Sequence, residues 1–283
     1  MKLRVAFLTL LAMFAFASNS LLCRAALRDT TIDAATFTLV RIVSGALALW
    51  LILTVRRSTS SQGGNWISAF ALFAYAAAFS FAYNTLSAGT GALLLFGAVQ
   101  ATMIFWGLRK GEHLDALQIV GFAIAMIGLV VLVFPGISAP PLIGSILMLA
   151  AGAAWGVYSI GGKETKDAIA ATTGNFLRAV PFAILVSAVM IRQARLDSLG
   201  IVYATISGAI TSGLGYVIWY SVLPQIKASA AAVVQLSAPV LVATGGILLL
   251  AEPITLRYGI ASIAVLGGIL LVIIEKQSAT HRQ

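Results

Sequence analysis

The chain has 283 residues, of which 60% are hydrophobic and only 10% charged, with a formal net charge of +9. Soluble domains carry roughly 25% charged residues, so the composition excludes an ordinary water-soluble fold. Basic residues stand singly or in pairs between apolar runs, which excludes a phosphate-binding stripe and makes nucleic acid a poor partner.

Ten apolar stretches follow one another. A helix needs roughly 20 apolar residues to cross the hydrocarbon core. The predicted spans are Lys2–Leu22, Asp33–Thr54, Asn65–Tyr83, Ser87–Leu108, Leu114–Phe134, Pro141–Gly161, Ile169–Ile191, Gly200–Ser221, Ala228–Leu250 and Thr255–Ile274. Lys2 and Arg4 before Val5–Ala17, with small residues at Ala15, Ala17 and Ser18, look like a signal peptide, but Leu22 before Cys23 argues against lipoprotein-type cleavage, and removal of the segment would break the internal repeat set out below. The segment is read as an uncleaved first span. Cys23 is the one cysteine, so no intramolecular disulfide is expected.

With the N-terminus inside, 11 of the 18 basic residues fall in inner segments, among them Arg56, Arg57, Arg109 and Lys110. Five fall outside: Arg24, Arg28, Arg192, Arg195 and Arg257. The excess predicts cytoplasmic termini in an inner or plasma membrane. Arg41 and Arg178 lie within spans, each roughly 13–14 Å deep at 1.5 Å per residue.

The second half echoes the first. Arg178 lies 137 residues after Arg41 (178 − 41), and Tyr220 lies 137 after Tyr83 (220 − 83). The pair Ser18-Asn19 falls opposite Trp155-Gly156 at the same offset. After a three-residue insertion, Glu252 falls 140 after Glu112 (252 − 112), as Gly268 does after Gly128. Five spans per unit is an odd number, so the second unit enters from the opposite face. The expected architecture is all-α: ten transmembrane helices as two inverted five-helix repeats, 1–135 and 136–276, with a cytoplasmic tail at 277–283.

These landmarks, with Leu94–Met103, Arg109–Glu112, Gly121–Leu132, Gln235–Glu252 and Leu266–Val272, resemble the EamA type of the drug/metabolite transporter superfamily. The resemblance spans nearly the whole chain. It implies a ten-helix carrier, usually an exporter of amino acids or other small metabolites. The fourth span lacks the proline often found in that family, whereas the ninth keeps Pro239, so the two are expected to kink differently.

Candidate cavity residues are the polar and aromatic groups within spans: Asn19, Arg41, Tyr83, Gln100, Trp155, Tyr158, Arg178, Tyr216 and Gln235. A buried arginine either binds an anionic group of the substrate or locks helices through backbone carbonyls. Trp155 and Tyr158 share a helix face, as do Tyr216, Trp219 and Tyr220. Such stripes line a cavity or form an interfacial belt; the belt suits Trp66, Trp106 and Tyr220 near span ends. Gln100 and Gln235 need partners, because an unpaired buried amide costs roughly 2–7 kcal/mol. Pairs of glycines on the fifth and tenth spans predict close helix packing.

No catalytic motif, cofactor motif or metal cluster is legible, so neither an enzyme nor a cofactor or metal is expected. All nine acids fall in loops or at span ends. A proton relay through a midplane carboxylate is therefore not expected. The expected partners are the lipid bilayer and a small-molecule metabolite, with the chain a monomer or homodimer. The competing reading is a channel or sensor-like protein without net transport.

Overall fold

The computed structural model describes residues 3–56, 63–111, 113–136, 138–162, 167–226 and 234–280. Glu112 and the lysines 163, 166 and 227, expected in inner loops, lie outside the described residues.

The chain forms helices throughout: α1 (Leu3–Asp29), α2 (Ala34–Val55), α3 (Trp66–Tyr83), α4 (Ala88–Arg109), α5 (Ala116–Val133), α6 (Leu142–Gly162), α7 (Ala168–Val189), α8 (Ser198–Val222), α9 (Ser237–Leu250) and α10 (Leu256–Thr280). Among the described residues, nine of these are long and apolar enough to cross a membrane; α9 has 14 residues. Outward faces carry Leu47, Leu51, Ile127, Val130, Leu185, Leu248 and Ile263, all exposed. Such a surface suits hydrocarbon, where only helices or closed barrels satisfy every backbone group.

The acids at helix ends have a local purpose. Asp33 accepts from the N–H groups of Ala35 and Thr36 at the start of α2. Asp167 does the same for Ile169 and Ala170 at α7, and Asp197 for Gly200 at α8. Each satisfies donors that a helix start leaves orphaned. The Gly200 N–H holds the Asp197 carboxyl below its ordinary range. Partial burial pulls the Asp33 carboxyl up, but hydrogen bonds from Thr36, Arg195 and Ala35 outweigh it and leave it lowered.

Two boundaries and one helix interior depart from expectation. Helix α1 runs on to Asp29, so Arg24 and Arg28 sit on its last turns and not in a loop. Their guanidinium groups find acceptors on other helices, which removes the cost of continuing. Helix α9 starts at Ser237, so Pro239 occupies its first turn, where proline is tolerated. Helix α8 contains a π-helical stretch over Ser207–Leu214, rich in glycine and serine.

Packing follows the repeat. Helix α3 packs on α6, and its repeat-mate α8 packs on α1. Helix α4 packs on α6 as α9 packs on α1. Three pairs bring repeat-mates directly together: α2 with α7, α4 with α9, and α5 with α10. The last is the most extensive, and its closeness needs glycine. A Cβ on Gly121 would stand 2.6 Å from the Gly268 carbonyl oxygen, and one on Gly268 would press the Gly121 carbonyl. Gly268→Leu is expected to cost about 1–3 kcal/mol by overpacking, read as a lower unfolding temperature in detergent. An unchanged unfolding temperature would remove this account of the α5–α10 pair.

Candidate substrate cavity

The helices enclose a cavity of ≈ 100 Å³ between the two halves. Its lining comes from α1, α3 and α4 of the first half, and from α6, α8 and the residues Leu223 and Gln235 between α8 and α9 in the second. It runs from Asn19, Tyr75 and Thr211 at mid-height to Met103, Ser159, Leu223 and Gln235 near one end of the bundle. That end carries the C-terminus of α4, where Arg109 lies.

Aromatic rings form the walls. Trp155 lies 5.0 Å from Tyr216 and 4.9 Å from Tyr75 between ring centroids. Phe16 meets Trp155, Tyr216 and Trp219 edge-on at 5.9–6.5 Å. Such rings favour tilted and edge contacts and give a flat apolar surface without flexible tails.

The floor is polar. The Asn19 side chain donates to the Tyr75 hydroxyl at 3.2 Å and accepts from Ser207 Oγ at 2.7 Å. Arg41 lies one layer behind, only 2% exposed. Its Nη2 donates to the Tyr75 hydroxyl at 3.1 Å and to Ser212 Oγ at 3.2 Å. Its guanidinium carbon stands 5.2 Å and 5.1 Å from the ring centres of Tyr75 and Phe79, within cation–π range. The π-helical stretch of α8 makes this possible. Gly208 there lies against the Arg41 carbonyl, where no Cβ would fit. Tyr75 and Ser212 are themselves 137 residues apart (212 − 75), so repeat-related positions grip one arginine.

Of the nine candidate residues, Asn19, Gln100, Trp155, Tyr216 and Gln235 line the cavity. Arg41 lies directly beneath it. Tyr83 is fully buried toward the opposite end, 4.7 Å from Phe79 and donating to the Ala88 carbonyl. Tyr158 backs onto Trp155 at 5.3 Å and borders a small pocket with Asn65, Asn175 and Tyr220. Arg178 donates to the carbonyls of Gly63 at 2.8 Å and Gly174 at 3.0 Å. Its environment is thus backbone, unlike that of its repeat-mate Arg41. Tyr220, expected in the interfacial belt, lines the cavity, because the last turns of α8 face the bundle. Trp66 and Trp106 are exposed, as a belt requires. Sequence reasoning passed over Tyr75, Phe16 and Ser212; the depth of Tyr75 and its repeat offset to Ser212 were the available signals.

The opposite end is closed. Arg24 Nε pairs with Glu252 Oε1 at 2.9 Å, and Glu252 Oε2 accepts from the Ala88 N–H at 2.7 Å. Arg24 also donates to the Tyr83 carbonyl, and Arg28 to that of Leu250. Among the described residues, no group of three His, Cys, Asp or Glu side chains is placed to hold a metal.

The model of the EamA-like transporter family matches residues 3–134 and 142–274, once for each half. The chain belongs to the EamA-like transporter family. It is accordingly a multi-pass membrane transporter. A Pseudomonas aeruginosa protein described as uncharacterized is 53% identical over 282 residues, covering 99% of this chain and 98% of that one. An uncharacterized transporter of Archaeoglobus fulgidus is 29% identical over 193 residues, covering 66% and 68% of the two chains. The uncharacterized Bacillus subtilis transporter YoaV is 20% identical, covering 83% and 85%. A crystal structure matches with a TM-score of 0.68 at 15% identity, over 98% of this chain and 100% of the other, which is a likeness of fold.

Proposed function

We propose that this EamA-family transporter is a carrier of the cell membrane that exports small organic metabolites, amino acids among them, by alternating access. The observation that carries the reading is the cavity itself. It lies between the halves, reaches toward one end of the bundle, and is shut from the other by the Arg24–Glu252 pair and the buried rings of Phe79 and Tyr83. Two inverted repeats, 1–135 and 136–276, rocking about Asn19, Tyr75 and Thr211 would expose the site to each side in turn. The apolar walls with few polar groups suit a small amphiphilic solute.

Counterflow tests it. Proteoliposomes preloaded with unlabelled amino acids should accumulate the labelled amino acid transiently, and empty ones should not. Steady leak in both cases would instead mark a channel. On this reading both termini lie in the cytoplasm, as the excess of basic residues in the inner segments favours. Cys23, the one cysteine, is fully buried, so single-cysteine reporters at Ser138 and Gln277 read topology without background. Labelling of Gln277→Cys from outside the cell would reverse the orientation.

Coupling follows from charge placement. Among the described residues no carboxylate or histidine lines the cavity. Both oxygens of Glu252 are already bound. Net flux is therefore expected without obligatory proton movement, or through Glu252 or Glu112. Flux driven strictly by a pH gradient in the Glu112→Gln/Glu252→Gln variant would refute this.

A further inference from the structure

We propose that the floor of the cavity is an anion site, in which the Tyr75 hydroxyl meets the solute and Arg41 supplies the charge behind it. Solutes carrying a carboxylate then bind in preference to their amides and esters. The inference rests on the carrier reading and names the class of solute carried.

Hydrogen-bond accounting comes first. A phenol oxygen has one hydrogen to donate and lone pairs with which to accept. The Tyr75 oxygen already accepts from Arg41 Nη2 and Asn19 Nδ2. Its own hydrogen has no acceptor given by any side chain or carbonyl among the described residues, while Tyr75 lines the cavity. The free O–H is thus offered to whatever occupies that space. A donor whose oxygen is bound by a guanidinium is polarised, and its best acceptor is an anion.

Charge accounting points the same way. Arginine stays protonated in proteins, and buried charges are normally paired. The ion pairs among the described residues are Arg24 with Glu252 and Arg28 with Asp29, both at the closed end. Among the described residues Arg41 has no carboxylate partner, and its buried Nη1 has no hydrogen-bond partner. The compensating negative charge is the one a solute brings. The repeat-mate Arg178 spends its Nη1 on two backbone carbonyls away from the lining, so the anion site is single.

The walls fit the rest of such a solute. Phe16, Trp155 and Tyr216 offer ring faces and edges, which take an aliphatic or aromatic side chain. An ammonium group of a zwitterion meets ring faces and the free amides of Gln100 and Gln235. A solute that is only cationic meets the field of Arg41 without compensation.

The test uses the full-length protein purified in detergent. Affinities are measured by thermal stabilisation for matched series: leucine, leucinamide, leucine methyl ester and 4-methylpentanoate, and the corresponding phenylalanine set. Carboxylates are expected to bind at least about tenfold tighter than the amide or ester in one series or more. Tyr75→Phe removes one hydroxyl and keeps the ring; it should erase most of that preference, with carboxylate affinity falling several-fold further than ester affinity. Arg41→Gln should erase it too, and Arg41→Lys should keep part of it, because charge survives and geometry does not. Equal affinities, no carboxylate binding in either series, or a preference that survives Tyr75→Phe overturns the anion site. Counterflow with the same probes separates the two ideas. Flux with equal affinities removes the anion site and leaves the carrier. Preference without flux removes the carrier and leaves the site.

Discussion

Arg41→Met is expected to reduce counterflow by at least about tenfold while leaving thermal stability unchanged or slightly raised. Two opposed effects set the sign for stability. The substitution loses hydrogen bonds to Tyr75 and Ser212, and bonds to a charged group are worth about 1.5–3 kcal/mol each. It also removes a cation that is 2% exposed and has no carboxylate partner among the described residues. Replacing buried ionic groups by apolar residues of similar size is often neutral or stabilising. Tyr75 and Ser212 can turn to one another or to the cavity, so the loss is softened. Arg178→Met supplies the contrast. That side chain is half-buried and ties the Gly63 carbonyl to α7, so its loss should cost about 1–3 kcal/mol of stability. The check is one experiment on two variants, with unfolding temperature and counterflow measured side by side. A large stability loss for Arg41→Met with normal transport by the surviving protein would make that arginine a helix lock and nothing more.

The contrast between these arginines shows where the sequence stopped being informative. Both sit at matching places in the repeat, so the two readings, substrate contact and helix lock, applied equally to each. The structure separates them through their neighbours. Arg41 meets Tyr75 of α3 and Ser212 of α8, whereas Arg178 meets the backbone before α3. Apolar runs made the helices legible, because hydrocarbon tolerates only segments that satisfy their own backbone. Helix ends were less so. Arg24 and Arg28 read as loop residues by their charge, yet α1 continues through them, since Glu252 lies 228 residues away in sequence and beside Arg24 in space. The π-helical stretch of α8 had only its glycine and serine content as a sign. Tyr75 hid within a run of alanine and phenylalanine, where an aromatic residue is ordinarily lipid-facing or core. Its function as a donor appears only when each hydrogen bond around it is assigned.

Glu252→Ala is expected to shift the protein strongly toward a state open at the end that is closed here. Glu252 and Arg24 are 9% and 14% exposed, so the pair is mostly desolvated. Around it the end of α1, the turn between α3 and α4, and the connection from α9 to α10 converge through the Ala88 N–H and the carbonyls of Tyr83 and Leu250. Ala251, held in the left-handed region at φ 48°, directs Glu252 into this cluster. Removing the carboxylate leaves a guanidinium and a backbone N–H without their partner. Breaking a buried pair from one side costs about 3–5 kcal/mol. That cost falls only on the closed end, because water takes over both groups once the end opens. A shift of that size changes the ratio of the two states by about two to three and a half powers of ten, at about 1.4 kcal/mol per factor of ten. A cysteine placed at Ala88, which is fully buried, reports the change. A membrane-impermeant maleimide added outside should label Ala88→Cys slowly in the otherwise native protein and rapidly in the Glu252→Ala background. The Arg24→Met/Glu252→Met pair should restore slow labelling, since no lone charge remains to favour water. Equal labelling in all three backgrounds would mean that the ion pair decorates a seal made by packing alone, with Phe79, Tyr83 and Leu86 as the closure.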